Sequence, residues 1–349
     1  MEISSFYDTL LIMTSIISLI FQCYAVFVVL RASPISMRPY RYFLCLMTVW
    51  DLIFTFLIGL GLAPRKISPV SGTYVHGFAQ GFGHDFARIM LCMVVFSAVQ
   101  IMASELNCLL YRLTVMLPNK KVQTLFVRPI SKILVQLVFV CIGLFFSIPT
   151  YNIFLNQEQL VPFLAYWKIH AAQDLHIDIV VPEDTVILAH DSSFFGPAKV
   201  VFVSICLTEI VCFIIAFVIV RMLRCNAHIF SKKTYKIHLQ LTILLVVQLI
   251  SPILFIAIPV CSSLLYSLFD QPIPTVIGDI LMLALSFNAT ANSLLTICFV
   301  TPYRRYTKSL LQRIFCLSKK PIQPVERIYI ARIFVLMNVY SCSYSCLLQ

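Results

Sequence analysis

Polar side chains are scarce inside the long apolar stretches of this chain, so the few that occur there mark where chemistry can happen. Asp51, Glu105 and Glu209 are acids within such stretches, Gln100, Gln248, Asn288 and Asn292 are amides, and Arg112 closes the third. An acid at the centre of a membrane helix costs at least ~2.5 kcal/mol, so each of these needs a partner or a task. Asp51 lies about nine residues inside one end of its stretch and Asn292 about seven inside the matching end of another, so the two sit at similar depth. With Asn288 one turn away, such a cluster can hold a hydrated cation or exchange partners in a conformational change; the plain alternative is a static interhelical hydrogen bond. Glu209, Gln248 and Gln100 are candidates to line a ligand cavity, and a protonated, hydrogen-bonded Glu209 is the plain alternative for that residue.

These residues are positioned by seven apolar stretches, at roughly 9–30, 43–63, 89–111, 131–155, 198–220, 237–264 and 276–299. Each is near or above the ~20 residues a helix needs to cross a bilayer. The expected fold is therefore all-α, a seven-transmembrane helix bundle, with residues 1–316 as the membrane domain and 317–349 as a tail. Two prolines in the sixth stretch, Pro252 and Pro259, each remove a backbone hydrogen bond and should kink that helix. A kinked helix can serve as a lever, although membrane helices also tolerate proline for ordinary packing reasons.

Charge gives the orientation. Of 26 Lys and Arg residues, 21 fall in alternate gaps: three after the first stretch, five after the third, five after the fifth and eight after the seventh. Only one of the 15 acids, Glu326, joins them. The positive-inside rule then puts the amino terminus outside and the carboxyl terminus in the cytoplasm. Hydrophobic residues make up 60% of the chain and charged residues 12%, as in a polytopic membrane protein. The net charge of +11 is explained by cytoplasmic loops facing anionic lipid, so nucleic acid is excluded as a partner. The first stretch has Glu2 and Asp8 before it and basic residues after it, which reads as a retained span and not a cleaved signal.

Cysteines, loops and tail complete the reading. Of 13 cysteines, Cys23, Cys45, Cys108, Cys141, Cys206, Cys212 and Cys298 fall within spans and act as small apolar residues. Cys92 lies where many seven-helix receptors tether their second outer loop, but the loop from Asn156 to Pro197 has no cysteine, so that tether is not available. That loop carries six acids with His170, His176 and His190. It reads as an acidic lid or a solvated loop, with no ligand spacing regular enough for a metal. After the seventh span, Tyr303, Tyr306, Leu310, Leu311 and Ile314 recur at helical spacing among Arg304, Arg305, Lys308 and Arg313, a basic amphipathic helix for the inner leaflet and its lipids. Cys316 at its end is a candidate for palmitoylation. Arg112, Lys232, Lys233 and Lys236 form a basic cytoplasmic surface, with Arg112 snorkelling toward water. No enzyme motif appears, and no internal repeat of the kind that transporters carry. The reading from residues alone is a receptor, with a seven-helix transporter or ligand-gated channel as the alternative. No cofactor is expected.

Several segments resemble nematode serpentine chemoreceptors of the Str superfamily, classes H and I in particular. They are Ser33-Pro34-Ile35-Ser36-Met37-Arg38-Pro39-Tyr40-Arg41-Tyr42, Pro69 with Gly72, Gly77 and Gly81, Pro149 with Gln157-Glu158, and Ser231-Lys232-Lys233-Thr234-Tyr235-Lys236 leading to Gln248 and Pro252. Asn292-Ser293 and Pro302-Tyr303-Arg304 extend the resemblance to most of residues 30–310. Two places depart from it. The arginine closing span three stands in Leu110-Tyr111-Arg112-Leu113 without the acid or basic-aromatic group often found there, and Ser286-Phe287-Asn288-Ala289 stands where class H usually has His-Gly. The resemblance implies a G-protein-coupled chemosensory receptor at the plasma membrane of sensory cilia, taking small odorant-like molecules from outside and signalling to a heterotrimeric G protein.

The charge asymmetry makes a direct prediction. Epitope tags at residue 2 and near residue 175 should bind antibody on intact cells, and tags near 120, 230 and 320 should need permeabilisation; the reverse labelling would overturn the orientation.

Overall fold

The computed structural model describes residues 2–33, 38–67, 72–117, 121, 124, 126, 128–174, 186–189, 195–226, 232–258 and 275–314. Among them are seven helices long and apolar enough to cross a membrane. In chain order the elements are α1 (Glu2–Ala32), α2 (Arg38–Thr55) with a π-helical continuation (Phe56–Leu62), β1 (Pro64–Ile67), β2 (Gly72–Val75), a 3-10 turn (Phe78–Phe82) and α3 (His84–Met116). Then follow α4 (Pro129–Ile153), α5 (Gln157–Asp174), β3 (Val186–Ala189), α6 (Phe195–Cys225), α7 (Lys232–Pro252) with a second π-helical continuation (Ile253–Ala257), α8 (Thr275–Phe299) and α9 (Thr301–Ile314). The expected spans correspond to α1, α2, α3, α4, α6, α7 and α8. Residues Met1–Tyr306 form one compact unit, and the boundary with the remainder falls inside α9. Pro259, Cys316 and the tail lie outside the described residues.

Helices form here because a hydrocarbon surround leaves backbone polar groups no partner but each other. Where the helices break, the break has a cause. Pro252 cannot donate to the preceding turn, and α7 widens into a π-helix at the next residue, as the kink reading of that proline requires. α2 widens likewise over Phe56–Leu62, a stretch containing two glycines, and stops at Ala63, whose φ of 41° is left-handed. Gly59 in this segment lies against α1, and a Cβ there would meet the Ser15 Oγ at 2.0 Å.

α3 runs through the middle, packed on α2, α4, α6 and α7, while α1 closes the bundle against α2 and α8. The core is divided along its length. One apolar cluster, including Leu57, Leu62, Met90, Val94 and Leu188, fills one end, and a second, including Phe43, Leu109, Leu223, Leu244 and Tyr303, fills the other. Between them the residues turned inward are polar. Ser18 and Gln22 come from α1, Asp51 and Thr55 from α2, Gln100, Ser104 and Glu105 from α3, Gln248 and Ser251 from α7, and Asn288, Asn292 and Thr296 from α8, all buried.

A three-stranded antiparallel sheet caps the first end. β1 pairs with β2 and β2 with β3, in register Pro64 to Val75 and Gly72 to Ala189. The sequence reading gave these gaps as loops, and the loop following α4 as a solvated or lid segment; the structure places a helix, α5, and a strand, β3, in it instead. Backbone pairing satisfies at this end what helices satisfy within the bundle. The turn after β2 is stitched to the end of the π-helical segment, where the Leu62 carbonyl accepts from the amides of His76 (3.1 Å) and Gly77 (2.9 Å). The approach is too close for a side chain, since a Cβ on Gly77 would lie 2.1 Å from the Gly61 carbonyl oxygen.

Among the described residues Cys92 is a free thiol. An arginine holds α4 to α3 near that position. Arg88 on α3 is buried, donates to the Asn156 side chain and the Tyr151 carbonyl, sits 3.9 Å from the centre of the Tyr151 ring, and pairs with Asp85 at 3.3 Å. Charge-assisted bonds from a buried guanidinium are each worth more than neutral ones. Replacing Arg88 with alanine should therefore cost about 2–4 kcal/mol, seen as a lower thermal midpoint of the purified protein. Cys92→Ser should stay within about 1 kcal/mol of the parent.

Candidate functional site

The polar belt brings together residues that sequence depth placed at one level. Asp51 on α2 lies against Asn292 on α8, at 1% and 2% exposure, although neither Asp51 oxygen has a well-formed hydrogen bond. One turn further along α8, Asn288 accepts from Ser251 of α7 at 2.7 Å. Gln248 of α7 donates to Thr296 of α8 at 3.1 Å and leaves its own oxygen unpaired. α7 and α8 are thus joined by two side-chain bonds, on either side of the Asp51–Asn292 contact. On the other flank Gln22 donates to Ser18 (3.0 Å) and Thr55 (2.8 Å), tying α1 to α2.

Two further acids face the same belt. Glu105 on α3 and Glu209 on α6 are buried, and none of their carboxyl oxygens has a hydrogen bond among the described residues. Glu105 is within electrostatic reach of both Glu209 and Asp51. No group of three or more metal-ligating side chains occurs among the described residues, so the three carboxyls do not close around an ion.

The expected ligand contacts Gln100 and Gln248 are tied between helices. Gln100 donates to the Phe139 carbonyl (2.8 Å) and accepts from Gln136 (3.0 Å), both on α4. Neither amide nor Glu209 lines the larger of the cavities described. That cavity, of about 270 Å³, lies beneath the sheet, between α2, α3 and α8, and is lined by residues including Ile58, Leu62, Thr73, Val94, Leu188 and Leu285. Sequence reasoning missed these residues because they are apolar and look like core. The signal available was the pair of glycines at 59 and 61, which mark a widened helix.

At the end of the bundle away from the sheet, Arg112 departs from the snorkelling position expected of it. Only 2% exposed, its guanidinium lies 4.2 Å from the centre of the Tyr40 ring and donates to His238 Nδ1 of α7 at 2.9 Å. The acceptor role requires the tautomer with its proton on Nε2. Arg112 Nε and Nη2 have no well-formed bond. Tyr40, Phe43, Tyr111 and Phe126 stack around this point, with ring centres 5.0–6.5 Å apart. An aromatic floor attracts the guanidinium away from the interface, which outweighs snorkelling here. Just past α8, the Tyr303 hydroxyl shares a 2.8 Å bond with Ser33, and burial raises its pKa above the ordinary phenol value. Lys236 is exposed at the start of α7. Lys232 and Lys233 belong to the same helix, but their side chains lie outside the described residues, as do His170, His176 and His190.

Comparison with known families assigns this arrangement. The family model described as serpentine type 7TM GPCR chemoreceptor Srh matches residues 2–313. The chain belongs to that family, class H of the nematode Str superfamily, and it is a multi-pass membrane protein of a receptor family, not of an enzyme family. Comparison with curated proteins gives no match.

The belt predicts a specific phenotype. Asp51→Asn should change basal or maximal signalling while leaving the rank order of ligands intact, because a group between two states shifts all agonists together. A selective loss of some ligands would put Asp51 in the binding pocket instead.

Proposed function

We propose that this Srh receptor detects small odorant-like molecules reaching its sheet-capped end from outside the cell and signals to a heterotrimeric G protein at the opposite, basic end. The family supplies the receptor class, in place of the transporter or channel alternative. One observation supports the coupling half: Arg112 is buried, and although it lies against Tyr40, its Nε and Nη2 have no well-formed hydrogen bond. A buried guanidinium with unmet donors is costly, and the cost is recovered when an inserted helix end offers carbonyl oxygens. In this reading the bond from Arg112 to His238 holds α3 and α7 together at rest and is given up on activation. Lys232, Lys233 and Lys236 add charge that attracts an acidic partner. Asp51, Asn288, Asn292 and Pro252 form the switch between the two ends, and Glu209, Gln248 and Gln100 tune which ligands trigger it. Cys316, when palmitoylated, anchors the end of α9 at the plasma membrane, and the sensory cilium is the site of action.

The test is expression of the full chain in cells carrying a G-protein reporter, challenged with a panel of small odorants. Arg112→Lys keeps the charge but loses the planar fork, so a contact of defined geometry predicts weaker coupling at matched surface levels. Unimpaired coupling in both Arg112→Lys and Arg112→Ala would remove Arg112 from the mechanism.

A further inference from the structure

The cavity under the sheet carries chemical information of its own. Among the described residues its lining is apolar except for the Thr73 hydroxyl and backbone, and no titratable side chain borders it. The lining comes from elements that the fold holds in unusual ways: Ile58 and Leu62 from the π-helical part of α2, Val94 from α3, Leu188 from β3, and Leu285 from α8. Two of these, Leu62 and Leu188, are almost fully buried, while Leu281, Met282 and Leu285 on the α8 side are half-buried.

Charged groups stand close by but are occupied with structure. Arg65 of β1 pairs with Asp8 of α1 at 3.9 Å, and the Tyr7 hydroxyl donates to the Pro64 carbonyl at 3.2 Å, so that β1 is fastened to α1. Asp279 of α8 follows Gly278 of the lining and has one buried oxygen without a hydrogen bond. It is an acid near the cavity that could attract a cationic ligand, and it lies within electrostatic reach of Arg65 and Asp8.

We infer that this cavity is the receptor's ligand site and that it selects neutral, predominantly apolar molecules of about ten non-hydrogen atoms, carrying at most one hydrogen-bonding group. A dry apolar cavity of about 150 Å³ accepts benzene, so 270 Å³ accommodates a molecule roughly twice that size. An ammonium or carboxylate would have to enter without a partner at a cost no contact in the lining offsets. A single carbonyl or hydroxyl on the ligand has a place to bond, at Thr73. None of the three acids of the polar belt is in the lining. This assignment rests on the receptor reading and narrows its ligand class.

The experiment uses the full chain, purified and placed in lipid nanodiscs without G protein, and reads the thermal unfolding midpoint against added ligand, since a molecule that binds only the folded state raises it. The probes are methyl ketones of about six to twelve carbons, with nonylammonium and nonanoate as charged counterparts of nonan-2-one. A saturable rise is expected for ketones near nonan-2-one and none for the two ions. Val94→Phe, which fills the cavity, should weaken ketone binding roughly tenfold or more. Leu285→Ala, which enlarges it, should move the optimum to longer chains. Stabilisation by nonylammonium equal to that by the ketone would shift recognition to Asp279 and overturn the inference. So would a response unaltered in both variants, or no response to any ketone. The outcomes separate the two claims: ketone binding without reporter activation in cells counts against coupling alone, while reporter activation by charged compounds only counts against the neutral pocket alone.

Discussion

A polar atom inside a bilayer has only the protein to bond with, and the architecture of this receptor follows from how it meets that demand. Three buried acids and many of the buried amides and hydroxyls are gathered into one belt between two apolar cores. Gathering them lets each helix offer partners to its neighbours, so Gln248 finds Thr296, Ser251 finds Asn288 and Gln22 finds Thr55. The three acids are what remains. Asp51 has only its contact with Asn292, the carboxyls of Glu105 and Glu209 have no hydrogen bond among the described residues, and helices whose closest polar contacts are incomplete can be repacked at less cost than helices joined by saturated networks.

The same demand shapes the capped end. A helix that widens into a π-turn frees carbonyls, and Leu62 spends its own on the amides that follow β2. The strands then pair with one another, and Leu188 of β3 is carried in as one wall of the cavity. Here Arg88 ties α3 to the end of α4 without a covalent bond. A disulfide fixes one pair of atoms covalently, whereas a guanidinium reaches a side chain, a carbonyl, a ring and a carboxylate at once and can release them singly.

Much of this was legible in the sequence, and the reasons for the exceptions are physical. Spans follow from hydropathy because length and composition are what a bilayer tests. The depth of Asp51 and Asn292 follows from counting residues from a helix end, and the structure places the two together. The face of a residue is harder to read, because a helix apolar all round gives no amphipathic signal; Gln100 could equally have pointed at a ligand or at α4. The sheet was out of reach, since β2 and β3 are four residues each and more than 110 positions apart in the chain. Arg112 was misplaced because snorkelling is a rule about lipid, and its surroundings proved to be Tyr40 and His238. The cavity gave no sign because apolar lining and apolar core are written in the same residues.

The positions of the belt residues suggest how the two ends communicate under the proposed function. Of the helices that line the cavity, α2 and α8 also carry residues of the proposed switch, Asp51, Asn288 and Asn292. α2 brings Ile58 to the cavity and Asp51 to the belt; α3 brings Val94 to the cavity and Arg112 to the far end; α8 brings Leu285 to the cavity, Asn292 to the belt and leads to Tyr303. α7 does not line the cavity, yet it holds His238 and is joined to α8 through Thr296 and Asn288. A ligand that moves α8 by a fraction of a turn must therefore change both of those bonds, and α7 is free to respond where Pro252 has already removed a rung of its ladder. The movement needs no continuous chain of contacts through the bundle. It needs only that binding favour one of two arrangements of α7 against α8, by an energy comparable to the one or two hydrogen bonds at stake, about 1 kcal/mol each.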